Sequence, residues 1–258
     1  MMSAGANPKR VIEWGAFQGL RKFENPDEMP PDARQLLLKM LVTQADTEFA
    51  SVQQHRPWLD QAPTVGDRLT ISRILTDEMR HGWQMCQLLQ DFHPEGTEAI
   101  EWLLQADIGQ HRLDSFNMPY ETWADVLAFT CLVDRVGIYQ LRAFEGCSYA
   151  PLARAIPTML MEEQLHIHFG YHGLRKMVHD PAYPGTADEA QAAVDKWFPR
   201  ALDMFGHSES RSSEMAVQLG IKRWANEEAR QLYLQEVRDL LTGIGLSVPD
   251  PLTNRRIL

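Results

Sequence analysis

Four long stretches of the chain carry apolar residues at the three- and four-residue spacing of helices with one buried face. The first begins at Asp32, puts Leu37, Leu41, Gln44 and Glu48 on one side, and is stopped by Pro57. The second opens near Thr64, whose hydroxyl caps it with Asp67 three residues on, a weaker version of the Ser/Thr-x-x-Glu box. Its stripe is Ile71, Ile74, Leu75, Glu78, His81, Gly82, Met85 and Leu89. Glu121 to Asp125 reads as the cap of the third, in which Leu127, Thr130, Cys131, Asp134, Ile138 and Leu141 share a face. After a break at Ser148 to Pro151 the fourth aligns Ile156, Met159, Leu160, Glu163, His166, Ile167, Gly170 and Leu174. The pattern predicts an all-α fold: a four-helix bundle with additional N- and C-terminal helices.

Around this bundle the pattern weakens. Residues 1–30 read as an arm with one short helix, ending in Glu28-Met29-Pro30-Pro31. His93 to Gly96 closes the first helical hairpin, residues 97–106 form a short helix, and an irregular link runs through Asn117-Met118-Pro119. Beyond the Pro-rich loop from His179 to Gly185, helices are expected near 186–204, 211–223 and 226–242, with a Pro-interrupted tail on the surface after Gly243. Length favours one domain over 1–258, with its core bundle at about 32–178 and a helical extension at about 186–258.

Charged residues interrupt the apolar stripes where a solvated ion pair would not sit. Glu78 and His81 stand one helical turn apart and leave the same face. One Glu-x-x-His arises readily by chance, but Glu163 and His166 repeat it, and the chain holds no third. Two such pairs on two helices, with one carboxylate from each of two others, make the ligand set of ferritin-like di-iron and di-manganese sites. An antiparallel partner helix places Glu48 thirty residues before Glu78, and Asp134 twenty-nine before Glu163. Six candidate ligands result, in two half-sites: Glu48, Glu78 and His81, and Asp134, Glu163 and His166. Glu145 faces the same way as Asp134 but lies about 16 Å further along, too far to serve the same ion.

Burying isolated charges costs several kcal/mol, roughly, so these side chains require cations or one another. Four carboxylates and two imidazoles suit two divalent ions, iron first and manganese second. Asp77 and Glu162, each preceding a ligand Glu, are candidates for orienting the imidazoles, with Arg80 paired to one of them. His168 and His172 fall off the stripe. Gly82, Gly137 and Gly170 lie on or beside the ligand faces, where they either open space for a substrate or let helices pack closely.

Composition narrows the partners. The formal net charge of −10, with no clustered basic stripe, argues against nucleic acid. Cys86, Cys131 and Cys147 are irregularly spaced, which fits a reducing compartment. Met1 to Arg10 has no apolar core of a secretory signal, and no apolar run reaches the roughly 18 residues of a membrane span. A soluble, cytoplasmic protein is expected.

The chain resembles the catalytic subunits of the bacterial phenylacetyl-CoA epoxidase family and, less closely, benzoyl-CoA epoxidase. The likeness is carried by Ala62-Pro63-Thr64, Asp77-Glu78 with His81-Gly82, Trp123-Ala124-Asp125, Leu132-Val133-Asp134 and Ser148-Tyr149 with Pro151. It continues through Ala153-Arg154-Ala155, Glu162-Glu163 with His166, Phe198-Pro199, Met204-Phe205-Gly206, Asn226-Glu227 with Arg230, and Val248-Pro249-Asp250-Pro251. Asp134 matches the Asp that replaces the usual Glu in that family. The resemblance implies a ferritin-like di-iron monooxygenase that epoxidises the ring of an aromatic acyl-CoA. It also implies O2, an electron-donating reductase, and a related structural subunit or homo-oligomer as partners. One departure stands out: the epoxidase subunits carry a Lys one turn before the first Glu-x-x-His, where this chain has Ile74. The alternatives are a ferritin-like iron-oxidising or iron-binding protein and a non-catalytic structural subunit.

Overall fold

A computed structural model of the chain describes residues 10–257. The segment read for a secretory signal therefore lies almost wholly outside the described residues. Among those residues the fold is all-α, with nine α-helices and no strand beyond two isolated bridges. The helices are α1 (Pro31–His55), α2 (Trp58–Gln61), α3 (Val65–Gln90), α4 (Glu95–Leu103), α5 (Trp123–Ala143), α6 (Ala150–His179), α7 (Ala187–Asp203), α8 (Arg211–Gln218) and α9 (Asn226–Gly243). Among the described residues no helix is long and apolar enough to cross a membrane.

The ferritin-like bundle consists of two antiparallel pairs. In the first, the start of α1 meets the end of α3, where Arg34 reaches Glu95 just beyond α3 at 3.2 Å. In the second, Trp123 at the start of α5 donates to the Tyr183 hydroxyl beyond the end of α6 at 2.9 Å. Capping sets the entries. Thr64 accepts from Asp67 N, and Thr122 and Asp125 form a full reciprocal box. Every residue of α5 from Ala124 to Val136 is buried, as expected of a helix that is apolar nearly all round. It packs against α6 on one side and α7 on another.

Small residues set how close α6 comes. A Cβ on Gly170 would stand 2.4 Å from Cys131 N, and one on Gly173 would overlap the Leu127 side chain. A Cβ on Gly82 would strike the Phe49 ring at 2.7 Å. Gly82 and Gly170 thus serve close packing; only Gly137, with nothing within 4 Å of an added Cβ, leaves open space.

The C-terminal helices share the apolar cluster of the bundle: Trp197, Phe198, Tyr233 and Val237 are fully buried together with Leu127, Phe129 and Val133. Trp197 donates to Asp125 at 2.8 Å and Tyr233 to the Leu132 carbonyl at 3.0 Å, which tie α7 and α9 to α5. Two expectations are corrected here. The helix read over 211–223 ends at Gln218, because Gly220 adopts φ +70° and Ile221 N turns back to the Ala216 carbonyl. The tail is not simply laid on the surface. Asp203, at the end of α7 and 6% exposed, collects Arg255 Nε at 2.6 Å and the backbone N–H groups of Arg256 and Ile257. A buried carboxylate needs those donors, and the tail supplies them. The N-terminal arm is also anchored, through Phe23 N to Ser148 O and Ala150 N to Phe23 O, and it carries a 3-10 turn at Pro26–Glu28.

Candidate metal centre

All six candidate ligands are buried, and they come from the four helices of the core: Glu48 from α1, Glu78 and His81 from α3, Asp134 from α5, Glu163 and His166 from α6. Their donor atoms form two groups, each within 4.8 Å: Glu48, Glu78, His81 and Glu163 in one, and Glu78, Asp134 and His166 in the other. The half-sites read from spacing are therefore interleaved. Glu163 places Oε1 3.2 Å from His81 Nδ1 and Oε2 3.2 Å from His166 Nδ1, so it lies between the imidazoles, while Glu78 belongs to both groups. Glu145 is exposed beyond the end of α5, and His168 and His172 are exposed on the outer side of α6.

Each imidazole presents Nδ1 inward and faces, at Nε2, a carboxylate from the opposite motif, hydrogen-bonded in the case of His81 and at ion-pair distance in the case of His166. His81 Nε2 stands 2.8 Å from Glu162 Oε2, and His166 Nε2 stands 3.5 Å from Asp77 Oδ2. Arg80 joins the two, reaching Asp77 Oδ1 at 2.9 Å and Glu162 Oε1 at 2.6 Å. The carboxylate preceding each candidate ligand Glu thus faces the histidine of the other motif, and Arg80 pairs with both carboxylates. The bond between His81 Nε2–H and Glu162 fixes that ring's tautomer, which leaves its Nδ1 lone pair free to ligate.

The electrostatics describe a cluster in want of positive charge. Burial raises Glu78 and Asp134 well above the usual carboxylate range, and Glu163 pushes each further up. Burial works against ionised Glu163 too, but His166 and His81 outweigh it and bring that carboxyl down to about 2. Burial likewise opposes His81, yet Glu163 and Glu48 hold it up at about 11. Among the site residues His81 Nδ1, both ring nitrogens of His166, Asp77 Oδ2 and Asp134 Oδ2 are buried with no hydrogen-bond partner. Inward-facing orphaned donors of this kind fit cation ligation, and the mixed oxygen and nitrogen set suits iron or manganese.

Two residues here escaped sequence reasoning. Ser51 donates to Glu78 Oε1 at 3.0 Å, and fully buried His55 stands 3.2 Å from the Ser51 hydroxyl. Both lie on the face of α1 that carries Glu48, at three and seven residues beyond it, and that spacing is the only signal they leave. Ile74 is fully buried in the apolar cluster and is a packing position.

A cavity of about 580 Å3 lies between α1, α5 and the segment from Met204 to Asn226. Gln44, Thr47, Gly137 and Met204 line it and also line the small void of about 30 Å3 against Glu48, Glu78, Asp134 and Glu163. Lys222 lines the larger cavity; it is 4% exposed, no carboxylate pairs with it among the described residues, and burial lowers its pKa to about 8.

The profile of the family described as Phenylacetic acid catabolic protein matches residues 2–256. The chain is 35% identical to benzoyl-CoA oxygenase component B of Aromatoleum evansii over 175 residues, which are 66% of this chain and 36% of that protein. It is 27% identical to a subunit of the 1,2-phenylacetyl-CoA epoxidase of Escherichia coli (strain K12) over 232 residues, 89% of this chain and 74% of that one. The chain thus spans only about a third of the length of the oxygenase component. With the profile matched from end to end, on a bundle that buries two Glu-x-x-His pairs face to face, the chain belongs to the phenylacetic acid catabolic protein family.

Proposed function

We propose that this chain is the metal-bearing component of a monooxygenase that epoxidises the ring of an aromatic acyl-CoA, such as phenylacetyl-CoA, during aromatic compound catabolism. Glu48, Glu78, His81, Asp134, Glu163 and His166 hold two iron ions, with manganese as the alternative. When bound, the iron pair supplies the reduction of O2 that ring oxygenation requires. The chain's own residues do the rest. Glu162 fixes the His81 tautomer, Asp77 faces His166, Arg80 keeps both carboxylates in place, and Gly137 keeps a passage to the centre open.

The observation that carries this reading is the adjacency of the buried six-residue cluster to a cavity of ligand size. The cavity's apolar wall at Leu113, Met204 and Phe205 suits an aromatic acyl group, and Lys222, cationic at neutral pH, suits the anionic handle of a thioester. An iron store needs no such cavity, and a structural subunit needs no orphaned imidazole nitrogens. Electrons come from a separate reductase, and a structural subunit or a further copy of this chain completes the assembly. Three free cysteines, all buried, fit a cytoplasmic setting.

Oxygen consumption by the iron-loaded protein with a reductase tests the proposal. Uptake that requires phenylacetyl-CoA or benzoyl-CoA and yields an oxygenated thioester is expected. Iron-dependent uptake indifferent to every thioester would point to iron oxidation, and product formation without metal would end the reading.

A further inference from the structure

Beside the six ligands stands His55, which has 0% exposure and contributes no ligand atom. Its ring stands edge-on to Tyr120 and Phe129, with centroids 5.2 and 6.0 Å away. Its Nε2 is 3.4 Å from Thr130 Oγ1, but that hydroxyl donates to the Val126 carbonyl at 2.6 Å and has no hydrogen left to give. Its Nδ1, by contrast, faces two acceptors, the Ser51 carbonyl at 3.0 Å and Ser51 Oγ at 3.2 Å. The Ser51 carbonyl can only accept, and its 3.0 Å contact, shorter than the one at Nε2, assigns the ring hydrogen to Nδ1. With Nδ1–H directed at Ser51 Oγ, the serine's own hydrogen turns the other way, to Glu78 Oε1 at 3.0 Å. That oxygen is the one 3.4 Å from His166 Nδ1, so it faces the position shared with Asp134 and His166.

We propose that Ser51, with its hydroxyl aimed by His55, is a positioning residue that turns Oε1 of Glu78 toward the Asp134–His166 position and so sets how this carboxylate is shared between the two cation positions. The inference rests on the metal-centre reading. Without the Ser51 hydroxyl, the Glu78 carboxylate loses the donor that fixes Oε1 and can rotate about its terminal torsion. The position it serves through Oε1 then keeps only Asp134 and His166 of its group, while the other, which also includes Glu78, is still held by Glu48, His81 and Glu163.

Cobalt(II) titration of the metal-free protein, followed by visible absorption and chelator competition, tests this without turnover. Wild type should bind cobalt in two events. Ser51→Ala should weaken one event by about ten- to a hundredfold and change its absorption envelope, leaving the other unmoved. Ser51→Thr, which keeps the hydroxyl, should restore both. His55→Phe, which keeps a ring between Tyr120 and Phe129, should shift the same event and add nothing in the double variant, since it acts through Ser51. If His55→Phe does not fold, the two Ser51 variants decide alone, with thermal unfolding as the control. Ser51→Ala with both affinities and the spectrum of wild type would overturn the proposal while the metal centre stands. Wild type that takes up no pair of cobalt ions would overturn the centre and this inference with it.

Discussion

Replacing His81 by Ala removes the imidazole that bridges Glu162 to the cluster, and metal uptake should fall below detection while circular dichroism stays helical. Unchanged metal content would show that His81 is not a ligand. Glu162→Gln should weaken metal binding about ten- to a hundredfold without abolishing it, because the imidazole loses its orienting carboxylate and keeps its lone pair. Lys222 carries two consequences. Its exchange for Met should raise KM for an acyl-CoA by about tenfold or more and leave kcat nearly unchanged, as expected for a contact made equally in ground and transition states. It also links stability to pH. The folded-state pKa of about 8 lies below the usual 10.5, so the unfolded chain binds the extra proton between these values. Stability should therefore rise from pH 8 to 10.5 in wild type, and denaturant titrations of Lys222→Met should lack that part of the rise. Spacing alone brought out the candidate ligands, since Glu-x-x-His written twice places four side chains without any tertiary knowledge. The exchange of second carboxylates was not legible, because it depends on how far α3 and α6 are rotated toward each other. Lys222 was hidden for another reason: nothing in the sequence separates it from a solvated surface Lys, and only the fold buries it in the wall of the cavity.

At the scale of elements, α5 and α6 show what a one-dimensional pattern leaves open. Gly137 and Gly170 look alike in sequence, each beside a ligand stripe. Gly170→Ala should cost on the order of 1–3 kcal/mol in chemical denaturation, because its Cβ meets the Cys131 backbone, which has nowhere to retreat. Gly137→Ala should be neutral or gain about 0.5–1 kcal/mol from helix propensity, with the new methyl standing in the cavity. Gly137→Leu should keep that stability and lose turnover of large thioesters by filling the passage. Equal destabilisation by both Ala variants would show that the helix packing described here is wrong. Helix cores were legible from periodicity and the entries from Thr64 and Thr122, whereas the early end at Gln218 depended on Gly220 adopting a left-handed conformation that its neighbours do not announce.

For the molecule as a whole, the C-terminal helices are part of what holds the bundle rather than an ornament on it. Trp197, Phe198 and Tyr233 bury their rings against α5, and truncating one such aromatic costs about 3–5 kcal/mol. A chain ending near residue 185 should accordingly lose cooperative thermal unfolding. The sequence located these helices but not their docking, since amphipathic faces say how much must be covered and not by what. The entire account turns on whether the interior of this bundle takes up a metal pair. Iron analysis after anaerobic ferrous loading and removal of loosely held metal measures that directly: about two irons per chain are predicted, and essentially none in His81→Ala combined with His166→Ala. Wild-type protein that emerges folded and iron-free, or a double variant that retains as much iron as wild type, would contradict it.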